Sequence, residues 1–387
     1  MVREVVIVEA ARTPTGKRDG GLSRLHAVAL GAIPVKAIFD HTGLDPLKVD
    51  LVLWGCVSQA GEQAVNVGRQ VWLHAGLPID VPATTLDTQC GSSQEALNLA
   101  YGMIASGQAD VMVVGGVESM SRVPMLSTIK NGPGFPYTPE ILNIYPITHQ
   151  GDSAEMMAEK WHIIRNEADQ FSLQSHQRAA HATQQGWFSR EIVPVETVDE
   201  NGNRVTICND EGFRANASLE KMGSLKPAFR ENGIVTAANS SQISDGAAAL
   251  LVMDAESAKK LGLIPRARVV AQTLVGVDPV LMLSGPIPAT RKVLDRAGLT
   301  LNDIDLIEIN EAFATVVLAW EKEYHPDMSR VNVHGGAIAL GHPLGASGAR
   351  LMTTLLHALE THDKRYGLQT MCCGGGLGTG TIIERLS

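Results

Sequence analysis

The sequence predicts an α/β fold made of two similar halves, and three observations carry that prediction. Apolar segments of strand length alternate with segments of helical period, which implies a mostly parallel sheet covered on both faces. The order of landmarks recurs: strand Val5, strand Leu51, the turn at Cys90 and strand Val111 are matched, roughly 250 to 265 residues later, by strand Val269, strand Leu306, the turn at His342 and strand Gln369. Residues 121 to about 230 interrupt the alternation with Pro124, Pro133, Pro136, Pro139 and Pro146, polar helices and a charged stretch. They read as an inserted loop domain that lines a site, with a merely decorative insertion as the alternative. The boundaries are 1–120 for the first half, 121–245 for the insertion with the return strand of the first half, and 246–387 for the second half.

In order along the chain, Val5 to Ala10 is apolar except for Glu9 and reads as a strand ending at Arg12-Thr13-Pro14. Asp50 to Gly55 reads as a buried strand and Ala64 to Ala75 as a helix. Val81 to Leu86 has strand and turn character and leads to Cys90. Beyond it Ala96, Leu97, Leu99, Ala100, Met103 and Ile104 recur at three and four residues, a helical pattern. Ala109 to Gly116 is a strand closing on a double glycine. In the insertion, Glu155–His162 and Asn166–Gly186 read as polar helices and Val198–Arg214 as a charged segment. Then Ala247–Met253, Arg266–Gln272 and Ile304–Ile309 read as strands. Val331-Asn332-Val333 leads to a glycine turn and a helix over Ala349–Leu359, and Tyr366–Met371 is a further strand.

At 387 residues and 44% hydrophobic content the chain exceeds one ordinary core, so more than one domain is expected. A formal charge of −9 argues against nucleic acid as a partner, and an anionic substrate would need a local basic patch, for which Lys221, Lys226 and Arg230 are candidates. The cysteines are Cys56, Cys90, Cys208, Cys372 and Cys373; an odd number suggests free thiols in a reducing compartment. Without a C-x-x-C pair or helix-spaced histidines, no metal is expected. Neither a signal peptide nor an apolar run of membrane-spanning length is evident, so a cytoplasmic protein without a membrane partner is expected.

Four segments bear chemistry. Cys90 falls where a strand hands over to a helix, and free N–H groups and the helix dipole there favour a thiolate; a small core cysteine in a tight turn is the other reading. His342 lies between Gly341 and Pro343, its backbone fixed, on the turn pseudo-symmetric with that of Cys90. An imidazole there can take a thiol proton, although a lone turn histidine is often only structural. Asn310 ends a strand and either donates to an oxyanion or caps a following helix. Cys372-Cys373-Gly374-Gly375-Gly376 is not a dinucleotide fingerprint, because a strand follows where a helix is required. Adjacent cysteines on a strand point opposite ways, so one of the two faces the site.

These residues carry a family resemblance. Ala11-Arg12-Thr13-Pro14 with Gly16, Cys90-Gly91-Ser92, Gly115-Gly116-Val117-Glu118-Ser119-Met120-Ser121, Asn310-Glu311-Ala312-Phe313, Gly341-His342-Pro343 and Cys372-x-Gly374 occur in the order found in thiolases, and the chain resembles that family over essentially its full length. The resemblance implies the thiolase fold, two βαβαβαββ halves layered α/β/α/β/α, and reversible thiolysis of 3-oxoacyl-CoA to acetyl-CoA and a shortened acyl-CoA. It implies Cys90 as the nucleophile, His342 as its base and Cys372 as the acid/base at C2. His342 with a water on Asn310, and the N–H groups of Cys90 and Gly374, would form two oxyanion holes. It places coenzyme A, a substrate rather than a cofactor, against Arg214, Ser241, His149 and Phe313, and implies a homodimer or homotetramer with acyl-CoA and CoA as partners. Ser93, His334, Gln150-Gly151-Asp152-Ser153, Gly61-Glu62-Gln63 and Gln94 look more like degradative members, including the steroid-degrading branch, than like acetoacetyl-CoA synthases. A non-catalytic acyl-CoA or lipid carrier of the same fold should have lost Cys90, His342 or Cys372, and all three are present.

Overall fold

The computed structural model describes residues 2–130 and 132–386. Its strands are β1 (Val5–Arg12), β2 (Gly16–Lys17), β3 (Leu51–Gly55), β4 (Ala83–Leu86), β5 (Val111–Ser119), β6 (Val195–Val198), β7 (Arg204–Ile207), β8 (Ser244–Asp254), β9 (Ala267–Gly276), β10 (Leu306–Ile309), β11 (Tyr366–Cys373) and β12 (Leu377–Arg385). Its helices are α1 (Ala27–Thr42), α2 (Val67–His74), α3 (Ser92–Ala105), α4 (Ser127–Lys130), α5 (Pro139–Ile144), α6 (Gln150–Lys160), α7 (Arg165–Gln184), α8 (Leu219–Gly223), α9 (Ala255–Lys260), α10 (Pro286–Ala297), α11 (Ala314–Tyr324), α12 (Ala337–Leu340) and α13 (Ser347–Thr361).

The main sheet runs β10-β11-β12-β9-β1-β8-β5-β3-β4, with β2 paired to β8. This is one arrangement used twice: β3-β5-β8-β1 corresponds to β10-β11-β12-β9. In each set the first pairing is parallel and the next two antiparallel. The halves meet edge to edge through Val6 opposite Arg268 and Ile7 opposite Ala267. The first half carries β4 beyond β3, where the second has only a bridge between Ile307 and Val331.

Alternation along the strands builds the layers. From β8, Ala247, Ala249, Leu251 and Met253 enter a core with α1 and α2, whereas Ala248, Leu250 and Val252 enter one with α3 and α13. Strands of the second half close over that same central pair, and their other face packs on α10, α11, α6 and α7. The central helices are therefore covered from both sides, and every residue of α13 from Ser347 to Leu359 is buried.

Four expectations change. The sheet is mixed rather than mostly parallel, because β8 and β12 return antiparallel to β5 and β11 and need no crossover helix. The boundary expected at 246 falls inside β8, which pairs with β5 and β1 along its length, so the first half runs to Asp254. The helix expected from Ala64 begins at Val67, since Val65 and Asn66 take φ near +57° and Asn66 Oδ1 caps Arg69 N–H. The charged segment after Val198 folds back as β7 to pair with β6, its alternating Val205 and Ile207 masked in the sequence by charge.

Candidate active site

Cys90 stands between β4 and α3 and is 4% exposed. Gln89 before it has φ +52°, a left-handed conformation costing a non-glycine residue roughly 1–2 kcal/mol. Asp87 Oδ1 holds the turn by accepting from Gln89 N–H at 2.7 Å. The N–H groups of Gly374 and of Cys90 itself lie near enough to the sulfur to favour its thiolate. Burial pushes the Cys90 thiol up to about 11; the two N–H donors oppose the shift, and Glu118 and Asp87 add to it. The helix end expected to favour a thiolate is thus outweighed, because the sulfur is shut away from water. A neutral thiol at pH 7 needs a base.

His342 lies between α12 and α13, its N–H donating to Ser244 Oγ at 3.0 Å. Its Nδ1 is 2.6 Å from Ser347 Oγ and its Nε2 3.3 Å from Asn310 Nδ2. Ser347 Oγ donates its own proton to Pro343 O at 2.8 Å, so it accepts from His342 Nδ1–H. Nε2 is left with a lone pair, the form a base requires. Burial, then the charge of Arg350, pulls the imidazole down to about 3, so it is neutral. Asn310 is no helix cap: α11 starts at Ala314, after Phe313. Its N–H donates to Thr370 O at 3.1 Å, and its buried Oδ1 has no partner among the described residues.

The turns of Cys90 and His342 are interlocked. Ala349 N–H donates to Ser93 Oγ at 2.8 Å, and a methyl group on Gly348 would lie 2.2 Å from Gln94 N. Cys372 and Cys373 face opposite sides of β11. Cys372 joins the core containing Phe313 and Met157, while the Cys373 sulfur lies beside Gly91 on the α3 side. Burial, then the charge of Cys90, raises both thiols, which places both within electrostatic reach of that sulfur. Gly374 is flanked by Gln150 and Gln89, whose side-chain atoms would lie 2.9 and 3.0 Å from an added methyl.

Of the four residues expected to contact coenzyme A, three sit along one route. His149 caps α6 by accepting Gly151 N–H at 3.1 Å and stacks on Phe229, ring centroids 5.3 Å apart; Phe229 meets Phe313 edge-on at 6.0 Å. Ser241 N–H donates to Ala312 O at 2.9 Å, beside Phe313. Arg214 is farther out, lining a cavity of about 280 Å³ with His176, Lys221, Ala238 and Gln242. Gln242 Nε2 ties Gly212 O to Ile338 O, and so tethers the Arg214 segment to α12 and the His342 turn. Of the expected basic patch, Lys221 lines this cavity, whereas Arg230 is engaged by Glu159 and Asp152.

Two buried carboxylates escaped the sequence reading as bracing groups. Glu118 accepts from the N–H groups of Val57, Ser58 and Gly345 and from Gln63 Nε2, all within 2.8–2.9 Å. Glu311 accepts from Ser175 Oγ, Asn332 Nδ2 and Ile338 N–H. Each lay inside a recognised motif, which was the available signal. A methyl on Gly345 would sit 2.6 Å from Cys56 Cα and 2.8 Å from both Gly55 O and Glu118 Oε2. Gly345→Ala is therefore expected to cost about 1–3 kcal/mol, read as a lowered Tm by calorimetry. An unchanged Tm would mean that the His342 turn is not held by this contact.

Two family models, described as thiolase N-terminal domain and thiolase C-terminal domain, match residues 5–256 and 263–385. The chain is 49% identical over 395 residues to the steroid 3-ketoacyl-CoA thiolase FadA6 of Mycobacterium tuberculosis, covering 100% of this chain and 95% of the relative. It is 44% identical over 391 residues to a 3-ketoacyl-CoA thiolase of Psychrobacter cryohalolentis, covering 99% and 98%. Among solved structures, the acetyl-CoA acetyltransferase of Bacillus anthracis superposes with a TM-score of 0.91 at 40% identity, covering 100% of this chain and 99% of that one. Human mitochondrial 3-ketoacyl-CoA thiolase does so with 0.90 at 37% identity, covering 99% of each.

Proposed function

The chain belongs to the thiolase family, and from that premise we propose that it cleaves a 3-oxoacyl-CoA with CoA, in the degradative direction, to acetyl-CoA and a shortened acyl-CoA. The observation that carries this reading is that Cys372 and the N–H of Gly374 lie close to the Cys90 sulfur, while the starts of the helices that follow Cys90 and His342 interlock.

In the proposed sequence His342 Nε2 takes the proton of Cys90, and the sulfur attacks C3 of the substrate. The N–H groups of Cys90 and Gly374 adjoin that sulfur, so an oxygen on the adducted carbon falls to them. The C2–C3 bond breaks, leaving the acyl group on Cys90 and an enolate of acetyl-CoA. Cys372 gives this enolate its proton, while His342 and a water held by Asn310 bind its oxygen. Acetyl-CoA leaves, CoA enters and loses its thiol proton to Cys372, and its sulfur takes the acyl group from Cys90, whose thiolate leaves and recovers its proton from His342. Arg214, Ser241, His149 and Phe313 are the proposed contacts of CoA. Arg214→Ala is expected to raise KM for CoA about tenfold with kcat nearly unchanged; a fall in kcat alone would remove Arg214 from the binding site.

A steroid-derived acyl group is the substrate we infer, supported by the 49% identity to a steroid thiolase. The test is kcat/KM on acetoacetyl-, medium-chain and steroid-side-chain 3-oxoacyl-CoA, with the last expected to lead acetoacetyl-CoA by at least about tenfold. A reversed order would make the enzyme an acetyl-CoA acetyltransferase. We further propose a homodimer or homotetramer, which size-exclusion chromatography with light scattering tests, and a reducing, cytoplasmic location, supported by five free cysteines. No helix of the described residues is long and apolar enough to cross a membrane.

A further inference from the structure

Ser93 and Gln94 follow directly on the Cys90 turn, and the reaction proposed above uses neither. Ser93 Oγ accepts from Ala349 N–H at 2.8 Å and so ties α3 to α13. Gln94 reaches instead to the strand pair β11 and β12. Its side chain is 1% exposed, and both ends of the amide are engaged. Nε2 donates to Thr381 Oγ1 at 2.9 Å and to Gln369 O at 3.1 Å, and Oε1 accepts from Thr379 Oγ1 at 2.6 Å. Thr379 and Thr381 are two residues apart on β12 and share the face toward α3; Thr381 pairs with Gln369 across the strands. Thr381 Oγ1 donates in turn to Asn98 Oδ1 at 2.9 Å, one turn further along the same helix.

This polar contact is an exception in its layer, where Ala96, Leu97 and Ala100 of α3 join an apolar core. A buried amide with its partners in place fixes one alignment of the elements it joins, because any shift strands buried donors and acceptors. The strand pair gripped by Gln94 ends in the turn that carries Cys372 and Gly374. Thr379 pairs with Met371, and the next pair along is Cys372 with Gly378. Gln94 itself stands one helical turn past Cys90. A methyl on Gly91 would come within 2.6 Å of Cys373 Sγ and 2.9 Å of Thr379 Cγ2, so the start of α3 rests directly on these strands. The His342 turn is held separately, by Ser93 Oγ and by Gly348 packed on the backbone of Gln94, and neither contact uses the Gln94 amide side chain.

We propose that Gln94 is a positioning residue that aligns Cys372 and Gly374 on the Cys90 sulfur, so that proton transfer at C2 of acetyl-CoA depends on it more than the activation of Cys90 by His342 does. Its amide is shut away from substrate and acts through Thr379, Thr381 and Gln369. The inference rests on the assignment of Cys372 as the acid at C2. Gln94→Met keeps the length of the side chain and removes all three hydrogen bonds. Thr379→Val removes one of them without changing the shape of the side chain.

Two rates measured on the full chain test this: exchange of the C2 protons of acetyl-CoA, followed by NMR in deuterated water, and alkylation of Cys90 by iodoacetamide, followed by peptide mass spectrometry. In Gln94→Met, exchange is expected to fall at least about twentyfold with KM for acetyl-CoA within about twofold, while alkylation stays within about threefold of wild type. A side chain that merely supported the fold would slow both rates together. A loss of exchange that does not exceed the loss of alkylation by at least about fivefold therefore overturns the proposal, as does a loss confined to KM. Thr379→Val should show the same split, and Thr379→Ser, which keeps the hydroxyl, should exchange within about threefold of wild type. Combining Gln94→Met with Thr379→Val should slow exchange no further than Gln94→Met alone; additive losses would mean that the two act apart. Should Gln94→Met fail to fold by circular dichroism, the comparison of Thr379→Val with Thr379→Ser decides. Undiminished exchange in Cys372→Ala refutes the reading of Cys372 itself, whereas exchange lost there but kept in Gln94→Met refutes only the positioning role.

Discussion

Replacing Cys90 by serine is expected to abolish covalent labelling by an acyl-CoA and to lower thiolysis by about four orders of magnitude or more. The size of the effect follows from the site. The sulfur is buried on a strained turn, with the N–H groups of Gly374 and of Cys90 itself close to it. A serine oxygen fits that space, but an alcohol is far less acidic than a thiol, and His342 is a weak base because burial and Arg350 hold it near 3. The base cannot supply what the poorer nucleophile lacks. Intact-mass measurement after mixing with an acyl-CoA reads the result directly. Retention of the acyl adduct in Cys90→Ser would move the nucleophile elsewhere.

The second large effect separates the adjacent thiols. Cys372→Ala is expected still to acylate at Cys90 yet to lose exchange of the C2 protons of acetyl-CoA, followed by NMR in deuterated water, by about three orders of magnitude. Cys373→Ala should keep exchange. The alternation along β11 is the reason: Cys372 faces the side of Phe313 and Met157, along the proposed CoA route, while Cys373 lies against Gly91 at the start of α3. A methyl on Gly91 would come within 2.6 Å of the Cys373 sulfur, so that thiol is wedged and has no access to substrate. Loss of exchange in Cys373→Ala instead would reverse the assignment.

Much of the site was legible because its residue types are conspicuous. A cysteine before Gly-Ser, a histidine between glycine and proline, and a cysteine ahead of a glycine run stand out locally, and the repeat order linked the turns that carry them. What was not legible depends on partners far along the chain. Helix-end chemistry at Cys90 argued for a thiolate, but burial comes from residues hundreds of positions away and dominates. Strand direction was misread because composition does not encode it, and β8 reads alike whichever half claims it. Glu118 and Glu311 were visible as letters, yet their acceptor roles appear only once Gly345 and Ile338 have been folded onto them.

The edge-to-edge join of the halves has a consequence for how the protein is made. Every donor to the Cys90 sulfur outside its own turn, and the imidazole on the matching turn, lies beyond residue 340. A ribosome therefore finishes the whole first half, with its own core around β8, long before Cys90 has any partner. Until β9 docks on β1 and the glycine turn closes, the nascent chain carries an unactivated thiol, and reactivity arrives in one late event. Onset of acyl labelling on stalled chains of increasing length would date that event.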